Sequence, residues 1–138
     1  MQRSLFVLDC SVTMTWLFKD EVTPYTTSVL NSLIQTTALV PVMWSLEVNN
    51  VLLMTEKRSR VSHMQAVAFK QALREMPIRE DNIENNDAYE IAREFNLTAY
   101  DGSYLELALR KKIPIATLDK ALRHAAKNSG VDLYLTNE

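Results

Sequence analysis

Short apolar runs alternate along this chain with longer segments of helical period, and that alternation limits the fold more than any other feature of the sequence. Residues 5–8 (LFVL), 38–42 (ALVPV) and 113–118 (IPIATL) are too short for stable helices and lack the polar alternation of a sheet with one wet face. Strands of this kind are buried on both sides, as in parallel sheets whose crossover helices cover both faces. The expected fold is an α/β three-layer sandwich, with helices on either side of a central parallel sheet of four to five strands.

Local signals place the other elements. Asp9-Cys10-Ser11 reads as a turn after the first strand, with Ser11 as N-cap of a helix over 12–19. Pro24 suits the first turn of a second helix, whose apolar stripe is Val29, Leu30, Leu33 and Ile34. A helix over 44–59 carries Val48, Val51, Leu52 and Met54 on or near one side. Ser62 caps a further helix to about residue 76, with Val67, Ala68, Ala72 and Leu73 as apolar positions and Pro77 as its stop. Residues 78–83 read as a short edge strand. Helices follow over 87–95 and 101–111, then the strand over 113–118, a helix over 119–128 ended by Gly130, and a last short strand over 131–135.

Composition removes several classes of function. The 138 residues suit one domain, 1–138, with one core, and the 47% hydrophobic and 23% charged content is that of a folding chain. Gly102 and Gly130 are the only glycines, which argues against glycine-rich phosphate loops and dinucleotide fingerprints. Cys10 is the only cysteine, so neither an intramolecular disulfide nor a cysteine-based zinc cluster can form, and a reducing cytoplasm is the matching location. The run 5–8 ends in Asp9 and is no signal peptide; the run 38–44, broken by Pro41, is too short to span a bilayer. A net charge of -2 weighs against nucleic-acid binding, unless several acids sit on cations that reverse the local field.

Acidic residues stand where an α/β sheet puts its chemistry. Asp9 ends the first strand, Asp119 ends the 113–118 strand, Asp101 begins a helix, and Glu47 lies one turn into the helix after the second strand. Each alone has an ordinary explanation: Asp101 and Asp119 as N-caps, Glu47 as a solvated helix charge, Asp9 as a turn residue. Together they form a cluster of four carboxylates if the strand ends meet, and such a cluster repels itself unless hard cations occupy it. Magnesium suits carboxylates, water and phosphate oxygens, and manganese is the alternative. Two such ions about 3.5–4 Å apart can activate a water and stabilise the leaving oxygen of a phosphodiester.

Four segments then resemble the motifs of the PIN-domain ribonuclease family, in order and across almost the whole chain. They are Val7-Leu8-Asp9-Cys10-Ser11, Trp44-Ser45-Leu46-Glu47-Val48-Asn49-Asn50, Tyr100-Asp101-Gly102-Ser103-Tyr104 and Pro114-Ile115-Ala116-Thr117-Leu118-Asp119. Within the family the chain resembles the VapC-type toxins of toxin–antitoxin pairs. The resemblance implies metal-dependent endoribonucleolytic cleavage of structured RNA, often tRNA or rRNA, by metal-activated water. It implies restraint by a cognate antitoxin protein and a homodimer. It makes Asp9, Glu47, Asp101 and Asp119 the catalytic and metal-site acids, with Asp9 and Asp101 as direct ligands and Glu47 and Asp119 acting through water. Ser11 and Thr117 match polar residues that support the first and fourth acids. Asn50, three residues after Glu47, could orient that acid or touch the scissile phosphate. Gly102 departs from the alanine such toxins often carry, and is expected to loosen the start of its helix.

Other residues admit plainer readings. His63 and His124 belong to no nucleophilic motif and suit surface helix positions. Cys10 reads as a small buried side chain and Tyr104 as core. Arg58 with Arg60, Lys111 with Lys112, and Arg123 with Lys127 are candidate phosphate contacts or solvated charges. Trp16, Phe18 and Tyr25 could receive an antitoxin helix or simply pack the core. The alternative functional reading is a non-catalytic, doubly wound regulatory or binding module. A phosphoacceptor receiver of that fold wants two adjacent acids at the first strand and a lysine after a late one, whereas the first strand offers Asp9 alone.

Overall fold

The computed structural model describes residues 3–83 and 88–136. Among these, β1 (Ser4–Leu8), β2 (Thr36–Pro41), β3 (Ile78–Asp81) and β4 (Ile115–Ala116) form one parallel sheet in the order β3-β2-β1-β4. Seven helices accompany them: α1 (Cys10–Thr15), α2 (Pro24–Ser32), α3 (Trp44–Lys57), α4 (His63–Arg74), α5 (Ala88–Phe95), α6 (Ala99–Lys111) and α7 (Lys120–Ser129). This is the expected α/β architecture. β1 lies inside the sheet, and Phe6, Val7 and Leu8 have no solvent exposure, which is why the run reads as apolar on both faces. Residues 78–81 form the expected edge strand, parallel to β2. Residues 84–87, and with them Asp87 as the expected start of α5, lie outside the described residues.

Local chemistry explains most of the helix boundaries. Thr23 and Ser62 cap α2 and α4 in reciprocal capping boxes with Thr26 and Gln65, and Pro24 occupies the first turn of α2. Gly130, at φ 86°, closes α7. At the end of α3 the N–H of Ser59 donates to Glu56 and that of Arg60 to Thr55, with Ser59 left-handed at φ 59°. That pair of bonds is a Schellman closure, and it fixes where the chain leaves the helix.

Several expectations are corrected. Ser11 does not cap α1: the helix begins at Cys10, Asp9 holds the N-cap position, and Ser11 lies in the first turn with its hydroxyl turned to other partners. The helix also stops at Thr15 rather than 19, and a 3-10 turn follows over Lys19–Glu21. α6 starts at Ala99, two residues early, because Thr98 accepts from the Asp101 N–H and serves as its cap. The buried face of α4 is Ala66, Phe69 and Leu73, while Val67 is exposed. The large ring of Phe69 turns inward and carries the stripe round with it. Ile34 lies past the end of α2 and Met54 lies off the inward Trp44–Val48–Leu52–Thr55 face of α3, so both are exposed. Residues 131–135 form no strand: Leu133 makes one bridge to Ile115, and Leu135 turns left-handed at φ 58°. The sheet therefore has four strands among the described residues.

Gly102 has a packing role rather than a loosening one. A Cβ there would stand 2.8 Å from the Ala92 Cβ and 3.0 Å from the Ala88 carbonyl oxygen, so its absence lets α5 and α6 pack closely. Gly102→Ala is expected to destabilise the chain by about 1–3 kcal/mol through overpacking. Helix propensity alone would give a gain of about 1 kcal/mol. A urea-unfolding midpoint that is unchanged or raised would show that the two helices separate at no cost.

Candidate active site

The carboxyl ends of β1 and β4 and the N-terminal turns of α3 and α6 open onto one cavity of about 640 Å³. Asp9, Glu47, Asp101 and Asp119 all line it, so the four acids named from the sequence share one chamber. Thr117, which the resemblance makes a support of the fourth acid, is buried and donates to the first acid, Asp9, instead.

Asp9 is the deepest, only 4% exposed. Its Oδ2 accepts hydrogen bonds from the Ser11 hydroxyl at 2.6 Å and the Thr117 hydroxyl at 2.7 Å. Each hydroxyl oxygen in turn accepts a backbone N–H: Ser11 from Leu118 at 3.0 Å, Thr117 from Asp119 at 3.0 Å. A hydroxyl has one proton, so the backbone bonds leave both protons directed at Asp9. The chain after β4 therefore sets the orientation of the acid at the end of β1. Burial pushes the Asp9 carboxyl up from its ordinary range, Ser11 and Thr117 oppose that, and the charge of Asp119 adds to it.

Glu47 is held by Tyr104, whose hydroxyl donates to Oε1 at 2.6 Å. Burial raises the Glu47 carboxyl, Tyr104 opposes the shift, and Asp9 and Asp101 add to it. Tyr104 has no solvent exposure, so the core reading holds for its ring, but its polar end supports an acid. Asn50 does not orient Glu47: its amide is exposed and directed at the Met54 sulfur, 3.8 Å away. Sequence spacing could not find Tyr104, because the pair lies 57 residues apart on helices α3 and α6. The only available signal was a tyrosine at a core position, whose buried hydroxyl must find a partner.

Asp101 is free of capping because Thr98 caps α6. Burial, then the charges of Asp119 and Asp9, push its carboxyl up to about 6. Asp119 does act as a cap, its Oδ1 accepting from the Leu122 N–H at 2.8 Å, while it also faces the cavity. The ordinary reading of Asp119 as an N-cap thus holds, and capping does not take its side chain out of the cavity lining.

These carboxylates share a chamber without forming a finished cage: no three acidic, histidine or cysteine side chains among the described residues are gathered in metal-holding geometry. The donor set itself fits a hard divalent cation, being all oxygen and self-repelling. Cys10 also lines the cavity, but burial, Glu47 and Asp9 push its thiol up to about 12, which keeps it protonated. His63 and His124 are exposed on helices, as expected. Trp16 donates to the Thr26 carbonyl, Phe18 is buried, and Tyr25 donates to the Tyr134 carbonyl, so all three aromatics are engaged within the fold. Of the basic pairs, Arg60 reaches the cavity and Arg123 donates to the Thr117 carbonyl at 3.2 Å.

The PIN domain family matches this sequence over residues 6–128, and the chain belongs to that family, whose members are typically metal-dependent nucleases. No curated protein matches the chain in sequence. Among solved structures it is similar to PAE2754 from Pyrobaculum aerophilum, at a TM-score of 0.67 and 20% identity, over 88% of this chain and 79% of that one. At that identity the likeness speaks for the fold. Among the described residues, no helix is long and apolar enough to cross a membrane.

Proposed function

We propose that this chain is a divalent-metal-dependent endoribonuclease acting as a VapC-type toxin. One observation carries the reading: four carboxylates line one cavity, and three of them are raised by burial and by one another's charge. Such an arrangement disfavours its own ionised form and gains most from a bound cation. Asp9 and Asp101 would hold magnesium or manganese directly, with Glu47 and Asp119 acting through water. A cation held there supplies a water of lowered pKa and a counter-charge for the phosphodiester. The chain's own part is positioning: Ser11 and Thr117 fix the Asp9 carboxylate, and Tyr104 fixes Glu47. The proposed partners are tRNA or rRNA as substrate, a cognate antitoxin that restrains the enzyme, and a second copy in a homodimer; the proposed location is the cytoplasm.

End analysis of cleaved RNA tests the chemistry. Attack by water with departure of the 3′ oxygen leaves a 5′-phosphate and a 3′-hydroxyl, and no 2′,3′-cyclic phosphate forms because the ribose 2′-hydroxyl takes no part. Cleavage should require magnesium or manganese and stop in EDTA. Ends carrying 2′,3′-cyclic phosphate, or cleavage that persists in EDTA, would reject this mechanism.

A further inference from the structure

The cavity that holds the four acids has a second wall, formed by Phe18, Glu21, Thr55 and Arg60 among others, and Arg60 is its only cation among the described residues. One backbone bond and three side-chain contacts place that residue. Its backbone is fixed by the Schellman closure of α3, through the N–H bond to Thr55 at 2.9 Å. Its guanidinium lies over the Phe18 ring, 4.0 Å from the centroid. Its Nη2 pairs with Asp20 at 2.9 Å and with Glu21 at 3.1 Å.

All the ion-pair contacts use that one nitrogen. Nε and Nη1 make no hydrogen bond to the described residues. Arg60 thus lines the cavity, and also the neighbouring pocket by Glu56 and Ser62, with most of its donors unspent, while its plane and one corner are in contact with Phe18, Asp20 and Glu21. An arginine held in this way suits a phosphate, which the fork meets through two parallel N–H donors. It also answers an electrostatic problem of the site. A polyanionic strand must approach a wall of carboxylates on a chain of net charge -2, and although Asp20 and Glu21 balance the Arg60 charge, its unspent N–H donors still offer that strand hydrogen bonds on this wall.

We infer that Arg60 is a positioning residue that binds a non-scissile phosphate of the RNA strand and so sets which phosphodiester reaches the acids. The inference rests on the nuclease reading above and deepens it. Asp20 and Glu21 serve as props for the guanidinium, and substrate does not depend on them directly.

Binding of a short fluorescent RNA, followed by anisotropy at several salt concentrations with calcium in place of magnesium to hold cleavage back, tests the assignment. Arg60→Gln keeps a side chain over Phe18 but removes the charge. It should weaken binding about three- to tenfold and reduce the slope of log K against log salt by about 0.7, the single-strand value for one lost phosphate contact. Arg60→Lys should keep the slope. The Asp20→Asn/Glu21→Gln double variant should bind RNA at least as well as the parent, since it removes negative charge beside the fork. An unchanged slope in Arg60→Gln would overturn the proposal. So would a double variant that loses as much binding as Arg60→Gln, because Arg60 would then be only a tie between two segments. Were the parent protein itself unable to bind RNA, the nuclease reading would fall first and this assignment with it.

Discussion

Asp101→Asn is expected to lower RNA cleavage by about a hundred- to a thousandfold, the loss typical of removing one preorganised electrostatic group from an active site. The chain should stay folded. Asparagine has the shape of aspartate, and the cap of α6 belongs to Thr98, so the helix start does not depend on the carboxylate. The metal-free variant should even be the more stable protein at pH 7. Burial, Asp119 and Asp9 hold the Asp101 carboxyl at about 6, so the folded state disfavours its charge, and a neutral amide escapes that cost. Because the group is partly in contact with solvent, the gain is about 1 kcal/mol, or a few degrees in Tm. Undiminished cleavage would remove Asp101 from the chemistry. A lowered Tm accompanying the loss would make it a folding residue instead.

Metal and pH should act on stability through the same acids. Asp9, Glu47 and Asp101 all have carboxyls raised in the folded state. Between the unfolded value near 4 and the folded value, about 6 for Asp101, the folded chain binds more protons than the unfolded one. Stability of the metal-free protein should therefore fall as pH rises through that window and level off above it. Magnesium or manganese reverses the penalty. At a hundredfold excess over Kd, mass action contributes about 2.7 kcal/mol, several degrees in Tm. The metal effect should be larger at pH 7.5 than at pH 5, where protons compete for the same oxygens. Thermal melts in EDTA and in metal at the two pH values measure both effects. Metal that leaves Tm unmoved at pH 7.5, or metal-free stability that climbs with pH over the window, would contradict a cation site here.

Much of this site was legible because its acids are tied to strand ends. Asp9 and Asp119 follow apolar runs, and in a parallel sheet the ends of such runs face one side, so topology places them without any knowledge of side-chain contacts. The strands themselves were legible for the same reason, being apolar on both faces. What the sequence left open was which acid each supporting hydroxyl serves, since the resemblance assigns Thr117 to the fourth acid whereas its hydroxyl donates to Asp9. Ser11 carries the signature of an N-cap, yet the helix begins two residues earlier than that cap implies and the hydroxyl serves Asp9, the acid the resemblance assigns to it. Asn50 sits at the helical spacing that could meet Glu47, but a tyrosine from another helix takes the position. The apolar positions of α4 misled because alanine and valine give a weak stripe, and the ring of Phe69 decided which face turned inward. Residues 131–135 look like a strand by composition, but the left-handed Leu135 cuts extension short after a single bridge. For Asn50 and for the inward face of α4, packing between elements overrode a local preference of about 1 kcal/mol or less.

The hydroxyl clamp on Asp9 also bears on synthesis. Asp9 leaves the ribosome well before one of its two side-chain donors, which is made 108 residues later. Until Thr117 and the strand beside it have emerged, the oldest acid of the site has nothing to fix its carboxylate from that side. On the nuclease reading proposed above, a nascent chain that ends before Thr117 lacks a finished site and poses little threat to RNA.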